Sequence, residues 1–345
     1  MKLGCSLGDS KPAIGGYYYS MAKASSVEAA LDRLVALRAD PAGAGVADEV
    51  GRGLAHRSDI VVAKAVQLAG ELRLRQLKPQ IIEAFSRFLR PEPKSPDRGC
   101  EIKNGIAGML LEWEMNDRDV VERVYLPGLR VYQEEWGDDV AAQLRGTCAI
   151  GLVAAGYRDA MVLLTDLLND RWPAARAGAA RALGNAGEDA AALLLRLKLV
   201  LTDGDPDPEV AAECMSALLR LWPEKSLEFV AAFLNHRGEG NRSAAALALG
   251  GSRQPAALGP LCARLDRETD ADVRQVLLLA LATLRLPQGV DRVIAAAGSG
   301  NTETVVAAIE ALRLYRNDED VRARLKAAIA GRGEEAQRVF GKVFH

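Results

Sequence analysis

The feature that most constrains the fold is a leucine that recurs every 31 to 35 residues inside apolar, alanine-rich segments. The recurring positions are Leu152, Leu183, Leu218, Leu249, Leu281 and Leu312. The positions three and four residues before each leucine are mostly small or apolar, which places them on the same face of a helix. A period of this length predicts stacked repeats, in which each repeat buries its apolar face only against its neighbours.

Turn residues divide each repeat into two helices. Asp, Asn and Ser favour helix starts, Gly favours helix ends, and Pro is tolerated in a first turn. The predicted helix pairs are 158–169/173–186, 188–201/207–221, 224–235/240–250, 255–266/271–285, 288–297/302–315 and 318–330/334–344. No window alternates with period two, so the sequence predicts no strands.

The first half of the chain is less regular. Its predicted pairs are 43–55/59–72, 76–90/97–115 and 118–134/138–155, with a capping helix near 26–38. Residues 1–20 have no helical period and are predicted to be a disordered tail. The Pro-rich stretch 90–97 is predicted to be a long loop within a repeat or a slight hinge. It is not predicted to be a domain boundary, because apolar helices continue on both sides of it.

These patterns predict an all-α fold, a right-handed solenoid of about eighteen or nineteen helices in stacked antiparallel pairs. The solenoid is predicted to be a single domain over 21–345, with irregular repeats over 26–137 and regular repeats over 138–345. The recurring leucines from Leu183 onward are predicted to be buried.

Composition narrows the classes of function. The chain has 44 Lys and Arg against 46 Asp and Glu, a net charge of −2, which argues against nucleic-acid binding. No apolar run reaches the roughly 18 residues of a membrane span. The five cysteines include no close pair, which predicts neither a metal site nor a redox motif and fits a cytoplasmic protein without a cofactor.

A short motif specifies the kind of repeat. The segment Asp170–Gly184 (DRWPAARAGAARALG) carries most of the pattern Asp-x-x-Val-Arg-x-x-Ala-x-x-Ala-Leu-Gly, and Asp270–Leu281 and Asp318–Ile329 carry parts of it. The chain therefore resembles the HEAT-repeat superfamily, of the short bacterial type also found in phycobilisome-lyase-like proteins. The resemblance covers 138–344 strongly and 26–137 weakly. It implies a scaffold whose second helices line a concave surface, and it transfers no active site.

An arginine column accompanies the motif. Arg145, Arg176, Arg242 and Arg274 each lie seven residues before the recurring leucine, whereas the other two repeats have Ala211 and Val305 there. One interpretation is a structural arginine that pairs with a turn aspartate and lays its stem on the neighbouring helix. The other is a basic ladder that binds an acidic partner. The two gaps favour the structural interpretation.

Catalytic patterns do not stand out. His56, His236 and His345 are far apart, and no metalloprotease, nucleophile-elbow or phosphate-loop motif occurs. Two enzymatic alternatives share this repeat type, a bilin-lyase-like protein and a HEAT-like DNA glycosylase. The glycosylase would use tryptophans such as Trp172 and Trp222 in a basic cleft, and the net charge of −2 argues against it.

The irregular half contains the strongest contrast in charge. Residues 52–103 have a net charge of +5, and residues 112–139 have nine acids and three bases, a net charge of −6. Aromatic residues are interleaved with these acids, as at many interfaces. The predicted partner-binding residues are Trp113, Tyr125, Tyr132, Glu134, Glu135 and Trp136. The alternative is solvated helix faces with the aromatics buried between repeats.

Together these features predict a non-catalytic scaffold that uses its concave solenoid surface to bind another protein.

Overall fold

The computed structural model describes residues 15–90 and 97–344. These residues form two compact units. Unit 1 extends to Pro127 and includes Gln133–Val140, and unit 2 consists of Gly128–Tyr132 and the residues from Ala141 onward. The sequence predicts one solenoid, but the division falls close to the predicted change from irregular to regular repeats.

Unit 1 is built from helices of very different lengths, from 3 to 22 residues, and one hairpin. Its helices are α1 (Gly15–Ala36), α2 (Val46–Leu54), α3 (Asp59–Glu71), α4 (Lys78–Phe88), α5 (Glu101–Glu112) and α6 (Arg118–Val120). A π-helical turn, Val121–Tyr125, continues α6 into α7 (Leu126–Gly128). The strands β1 (Glu134–Glu135) and β2 (Asp138–Asp139) follow along the chain.

Helix α1 begins earlier than the sequence predicts. The predicted tail covers residues 1–20, yet the chain is helical from Gly15. Residues 18–36 include helix-favouring Met, Ala, Lys and Leu, so the helix extends back beyond the first clean apolar period. Residues 1–14 of the predicted tail, and residues 91–96 of the predicted Pro-rich loop, lie outside the described residues.

The hairpin corrects the prediction that the chain has no strands. Strands β1 and β2 pair antiparallel, with Glu134 opposite Asp139. The turn between them is formed by Trp136 and Gly137, whose φ angles of 57° and 91° are both positive. Two consecutive positive φ angles match the right-handed twist of a two-residue hairpin. Each strand has only two residues, which is too short to produce a readable alternation.

Unit 2 consists of helix pairs whose bounds follow the predicted ones closely. The helices are α8 (Ala142–Ala154), α9 (Ala160–Leu167), α10 (Pro173–Ala186), α11 (Asp189–Leu201), α12 (Pro208–Leu221), α13 (Pro223–Ala232), α14 (Glu239–Ser252), α15 (Leu258–Leu265), α16 (Ala271–Thr283), α17 (Pro287–Ser299), α18 (Thr302–Ala311), α19 (Glu319–Ala328) and α20 (Glu334–Phe344). With α6 and α7 counted as one interrupted helix, the described residues contain nineteen α-helices, as predicted.

The even-numbered helices α8 to α20 stack on one another in order, and we call them the second-helix layer. Small residues let these helices approach closely. A Cβ atom placed on Gly178 of α10 would lie 2.3 Å from the Cα atom of Gly146 in α8. The side chains of Asp207 and Asp270 cap α12 and α16 by accepting backbone N–H bonds, as the turn residues predict.

The core of unit 2 lies between the two layers of helices. Leu183, Leu218, Leu249, Leu281 and Leu312 are all 0% exposed, which confirms the predicted register. The described residues therefore form an all-α solenoid of stacked antiparallel helix pairs, with one short hairpin added. Among the described helices, none combines the length and apolar character that a membrane span requires.

Candidate partner-binding surfaces

The arginine column makes structural contacts in unit 2. Three of its members pair with an acid in the turn of the following helix pair. The pairs and their N–O distances are Arg145–Asp170 (3.0 Å), Arg176–Asp205 (2.7 Å) and Arg242–Glu268 (3.2 Å). Arg274 instead donates to the backbone carbonyls of Leu265 and Glu268. The first three arginines join consecutive repeats, whereas Arg274 holds the turn within its own helix pair. The guanidinium groups of all four are engaged in these contacts.

The acids of these pairs are buried and well satisfied. Asp205 is 2% exposed and also accepts from Lys198, at 3.1 Å, and from its own turn. Burial by itself would raise the pKa of Asp205, but hydrogen bonds, the strongest from Arg176, outweigh it and hold that pKa below its usual value. For Glu268 burial is likewise outweighed, chiefly by Arg264, and the pKa is lowered. Both acids are therefore ionised and unavailable to a ligand.

Two of the predicted anchors belong to the core of unit 1. Trp113 follows α5 and is 2% exposed, and Tyr125 ends the π-helical turn and is 0% exposed. The Tyr125 hydroxyl donates to the Met115 carbonyl at 3.4 Å. The prediction of exposed anchors is corrected at these two positions, because both rings face the packed interior and fill it.

Tyr132 is exposed, but its ring and hydroxyl are both engaged in unit 2. The Arg145 guanidinium lies 4.0 Å from the centre of the Tyr132 ring. The Tyr132 hydroxyl donates to Asp170 at 3.2 Å. Tyr132 therefore covers the Arg145–Asp170 pair from solvent, and these contacts within the fold account for its position.

Trp136 is different, because it lies at the tip of the hairpin and is 98% exposed. The base of the hairpin is held firmly. Asp139 is buried and accepts the Gln133 backbone N–H at 3.0 Å, and the Gln133 side chain donates to backbone carbonyls of residues 97 and 98. The hairpin thus presents the indole on an anchored support.

Carboxylates surround that indole. Glu134 and Asp138 are exposed and Glu135 is half-buried. None of the three has an ionic partner among the residues that the structure describes. The predicted residues Glu134, Glu135 and Trp136 therefore lie together on one small acidic hairpin, whereas Trp113, Tyr125 and Tyr132 do not join them there.

Comparison with known families identifies the repeats. Residues 194–282 match the family model of HEAT repeats. This segment is similar to HEAT repeats. The match runs from within α11 to the end of α16 and includes three of the recurring leucines, Leu218, Leu249 and Leu281, and the Arg242–Glu268 pair. The predicted resemblance to HEAT repeats is confirmed there. No curated protein sequence matches the chain.

Solved structures with a similar arrangement of helices are distant. The complex of CpcE and CpcF of phycocyanin lyase from a Nostoc species is 19% identical, with a TM-score of 0.40, over 76% of this chain and 93% of that chain. Human deoxyhypusine hydroxylase is 19% identical, with a TM-score of 0.30, over 78% and 96%. The Pds5–Scc1 complex is 12% identical, with a TM-score of 0.36, over 86% and 62%. These similarities are too distant to assign an activity to this chain.

Helix α11 contributes an apolar surface that the sequence analysis missed. On one face of α11, Leu195 and Leu199 are buried in unit 2. The opposite face carries four apolar residues that are more than half exposed, namely Leu193, Leu197, Val200 and Leu201. The sequence of α11 could have predicted this surface, because the segment DAAALLLRLKLVL is apolar on nearly every side, unlike an ordinary surface helix.

Reactive groups do not converge in the part of the chain that the structure describes. That part contains no cluster of three or more His, Cys, Asp or Glu side chains arranged to hold a metal ion. Burial raises the pKa of the Cys214 thiol to about 12, so this cysteine is a packed apolar group. The His236 ring accepts the Gly238 N–H at 2.9 Å and stacks on Phe233, as a turn-stabilising residue.

Proposed function

We propose that this protein is a non-catalytic scaffold that binds another protein, and that the hairpin Gln133–Val140 of unit 1 is a binding element. The observation that carries the proposal is Trp136, an almost fully exposed tryptophan held at a φ of 57°. Both features are unfavourable for the isolated chain, and both are explained by a partner that covers the indole.

Without a partner, the exposed ring and the left-handed backbone of Trp136 are both energetically costly for the chain. An exposed tryptophan leaves roughly 150–250 Å² of mostly apolar surface in water. A left-handed backbone conformation at a residue other than glycine costs on the order of 1–3 kcal/mol. Asn or Gly would form the same turn more cheaply. Binding hot spots, in contrast, are enriched in tryptophan.

The charge around Trp136 indicates which kind of surface the partner would present to the hairpin. Glu134, Glu135 and Asp138 give the hairpin a local negative field without compensation in the described residues. The complementary surface is an apolar pocket that accepts the indole and is bordered by Lys or Arg. Exposed charges of this kind accelerate association and make its rate depend on salt concentration.

The enzymatic alternatives have no comparable observation in their favour. Trp113 is buried, Trp222 donates to Asp189 at 2.6 Å, and Trp136 lies among carboxylates that repel phosphate groups. A phosphate-binding cleft or a bilin-binding site would need a different arrangement of these side chains.

The test compares captured proteins quantitatively. Tagged wild-type chain, Trp136→Ala and the control Val162→Ala are incubated with extract of the source cells, crosslinked and analysed by mass spectrometry. Val162 is a suitable control because it is an exposed apolar residue of α9 in unit 2, away from the apolar face of α11. We expect at least one protein that the wild type and the control capture equally and that Trp136→Ala loses about tenfold or more. Equal capture by all three would contradict the proposal.

A second variant tests the charge. The double change Glu134→Lys and Glu135→Lys is expected to lower the association rate of that partner and to reverse its salt dependence. An unchanged rate and salt dependence would place the binding surface elsewhere.

A further inference from the structure

A row of exposed arginines lies on one edge of unit 2, in the loops between consecutive helix pairs. Arg253 follows α14, Arg285 follows α16, and Arg316 follows the 3₁₀ turn after α18. They are 32 and 31 residues apart, so they occupy equivalent places in successive repeats. Among the described residues none of the three has an acid within ion-pair distance.

The backbone at two of these positions favours glycine. Arg253 has a φ of 55° and Arg285 a φ of 57°, both in the left-handed region. The equivalent residues after α8 and α10 are Gly156 and Gly187, with φ angles of 63° and 71°. Since glycine adopts this conformation without strain, helix termination does not explain the two arginines. Their side chains point to a role beyond the fold.

The local charge is positive in the first two of these loops. The loops 253–257 and 284–288 read RQPAA and LRLPQ, so each contains an arginine and no acid. Beyond Arg316, Asp318 caps α19 and Asp320 pairs with Arg324, whereas Glu319 is exposed and partly offsets the charge of Arg316. The opposite edge of unit 2 is acid-rich, as in the turn 266–272, DRETDAD. A negatively charged segment would therefore lie along the arginine edge.

We infer that this edge binds an extended acidic peptide of a protein partner, with a carboxylate at every third residue. Packed helices are about 8–10 Å apart, which gives the approximate spacing of the arginines. An extended chain advances about 3.1–3.3 Å per residue, so three residues match one repeat. Each guanidinium can then take one carboxylate in a bidentate pair.

This surface is distinct from the hairpin of unit 1 and extends the proposed function to a second binding element. An apolar component is available beside the charges, because Leu314 is 53% exposed and Pro255 and Pro287 are exposed. A folded partner would need a matching shape, whereas an extended peptide needs only the regular spacing. The periodicity of the arginines therefore favours the peptide.

The experiment measures fluorescence anisotropy of three labelled twelve-residue probes with the full chain. The first has Glu at every third position among Gly, Ser and Pro, the second has the same composition with the Glu residues clustered, and the third has Gln in place of Glu. We expect the spaced probe to bind about fivefold or more tightly than the clustered probe, and the Gln probe to bind negligibly. A single-stranded oligonucleotide of equal charge is the fourth probe. Equal affinity for spaced and clustered probes, or tighter binding of the oligonucleotide, would overturn the inference.

Variants of the chain test whether the spaced probe binds at the exposed arginines. The double variant Arg253→Gly with Arg285→Gly is expected to lose about tenfold or more in affinity for the spaced probe, while its melting temperature stays level or rises. The control Arg267→Gln removes the same kind of charge from an exposed turn on the opposite edge and should leave affinity unchanged. Equal loss with the control, or a lower melting temperature of the double variant, would contradict the assignment. Trp136→Ala should not change probe binding, so this result is separable from the test of the hairpin.

Discussion

Unit 2 uses arginine differently at its two edges. At the edge formed by the turns within helix pairs, Arg145 and Arg176 reach buried acids, and Arg145 is itself 0% exposed. At the edge formed by the loops between pairs, Arg253 and Arg285 are exposed and hold left-handed backbone conformations. The positions of Arg145 and Arg176 are explained by the buried ion pairs that they form within the fold. The second group costs stability, so its side chains are explained by something outside the fold.

The difference shows that regular spacing does not by itself define the role of a repeated residue. Both groups recur once per repeat, and both have gaps. Burial and pairing separate them, since a buried charge requires a partner whereas an exposed one does not.

Removing a buried arginine should have the largest effect. Arg145→Ala leaves Asp170, whose side chain is 3% exposed, without its guanidinium partner. We expect a loss of about 3–5 kcal/mol in the free energy of unfolding, measured by urea denaturation, because an uncompensated charge remains buried. The pair variant Arg145→Met with Asp170→Asn should recover part of this loss. A loss below about 1 kcal/mol for the single variant would remove the distinction between the two edges.

A core leucine provides a scale for that effect. Leu249→Ala, at a site that is 0% exposed, should cost about 2–5 kcal/mol through lost burial and the cavity that remains. The exposed Leu201→Ala is its control and should change stability by less than about 0.5 kcal/mol. Hydrogen exchange should show the damage concentrated around α14, since repeats couple mainly to their neighbours. Uniform loss of protection across the chain would contradict this locality.

The regular helix pairs could be predicted almost to the residue because two independent signals coincide. The apolar period locates each helix, and residues such as Asp207 and Asp270 cap its first turn. The burial of the five leucines follows from the same period. Where only one signal is present, as at the start of α1, the predicted boundary is less accurate.

The candidate surfaces were harder to predict. Trp113 and Trp136 are the same residue type in the same acidic segment, yet one is 2% and the other 98% exposed. Tertiary packing decides this difference, and no local sequence pattern indicates it.

The sequence predicts a helix over 240–250 that ends at Gly250, but α14 continues to Ser252. Gly250 is required instead because a Cβ atom there would lie 2.6 Å from the Ala280 carbonyl oxygen.

The paired acids should also make the stability of unit 2 depend on pH. The pKa of Asp205 is lowered in the folded chain, so its ionised form stabilises the fold above the pKa of the unfolded state. This contribution is lost as the pH falls through the lowered pKa, in the region below about pH 4. Urea denaturation of the wild type should therefore show stability falling over that range. Asp205→Asn should be less stable at pH 7 and should show a weaker pH dependence there, and an identical slope would contradict the assignment.

The smallest expected effect has the opposite sign and is the sharpest test of the comparison. Arg253→Gly and Arg285→Gly should each raise the free energy of unfolding by about 0.5–1 kcal/mol, because glycine adopts the left-handed conformation without the strain of a side chain. Arg253→Ala is the matched control, since it removes the same guanidinium but keeps a Cβ atom at a φ of 55°. Alanine should therefore give no such gain. The reverse substitution, Gly187→Ala at a φ of 71°, should destabilise by a similar amount. If Arg253→Gly instead destabilised the chain, the arginine would have a structural role at this edge as well, and the two edges would no longer differ.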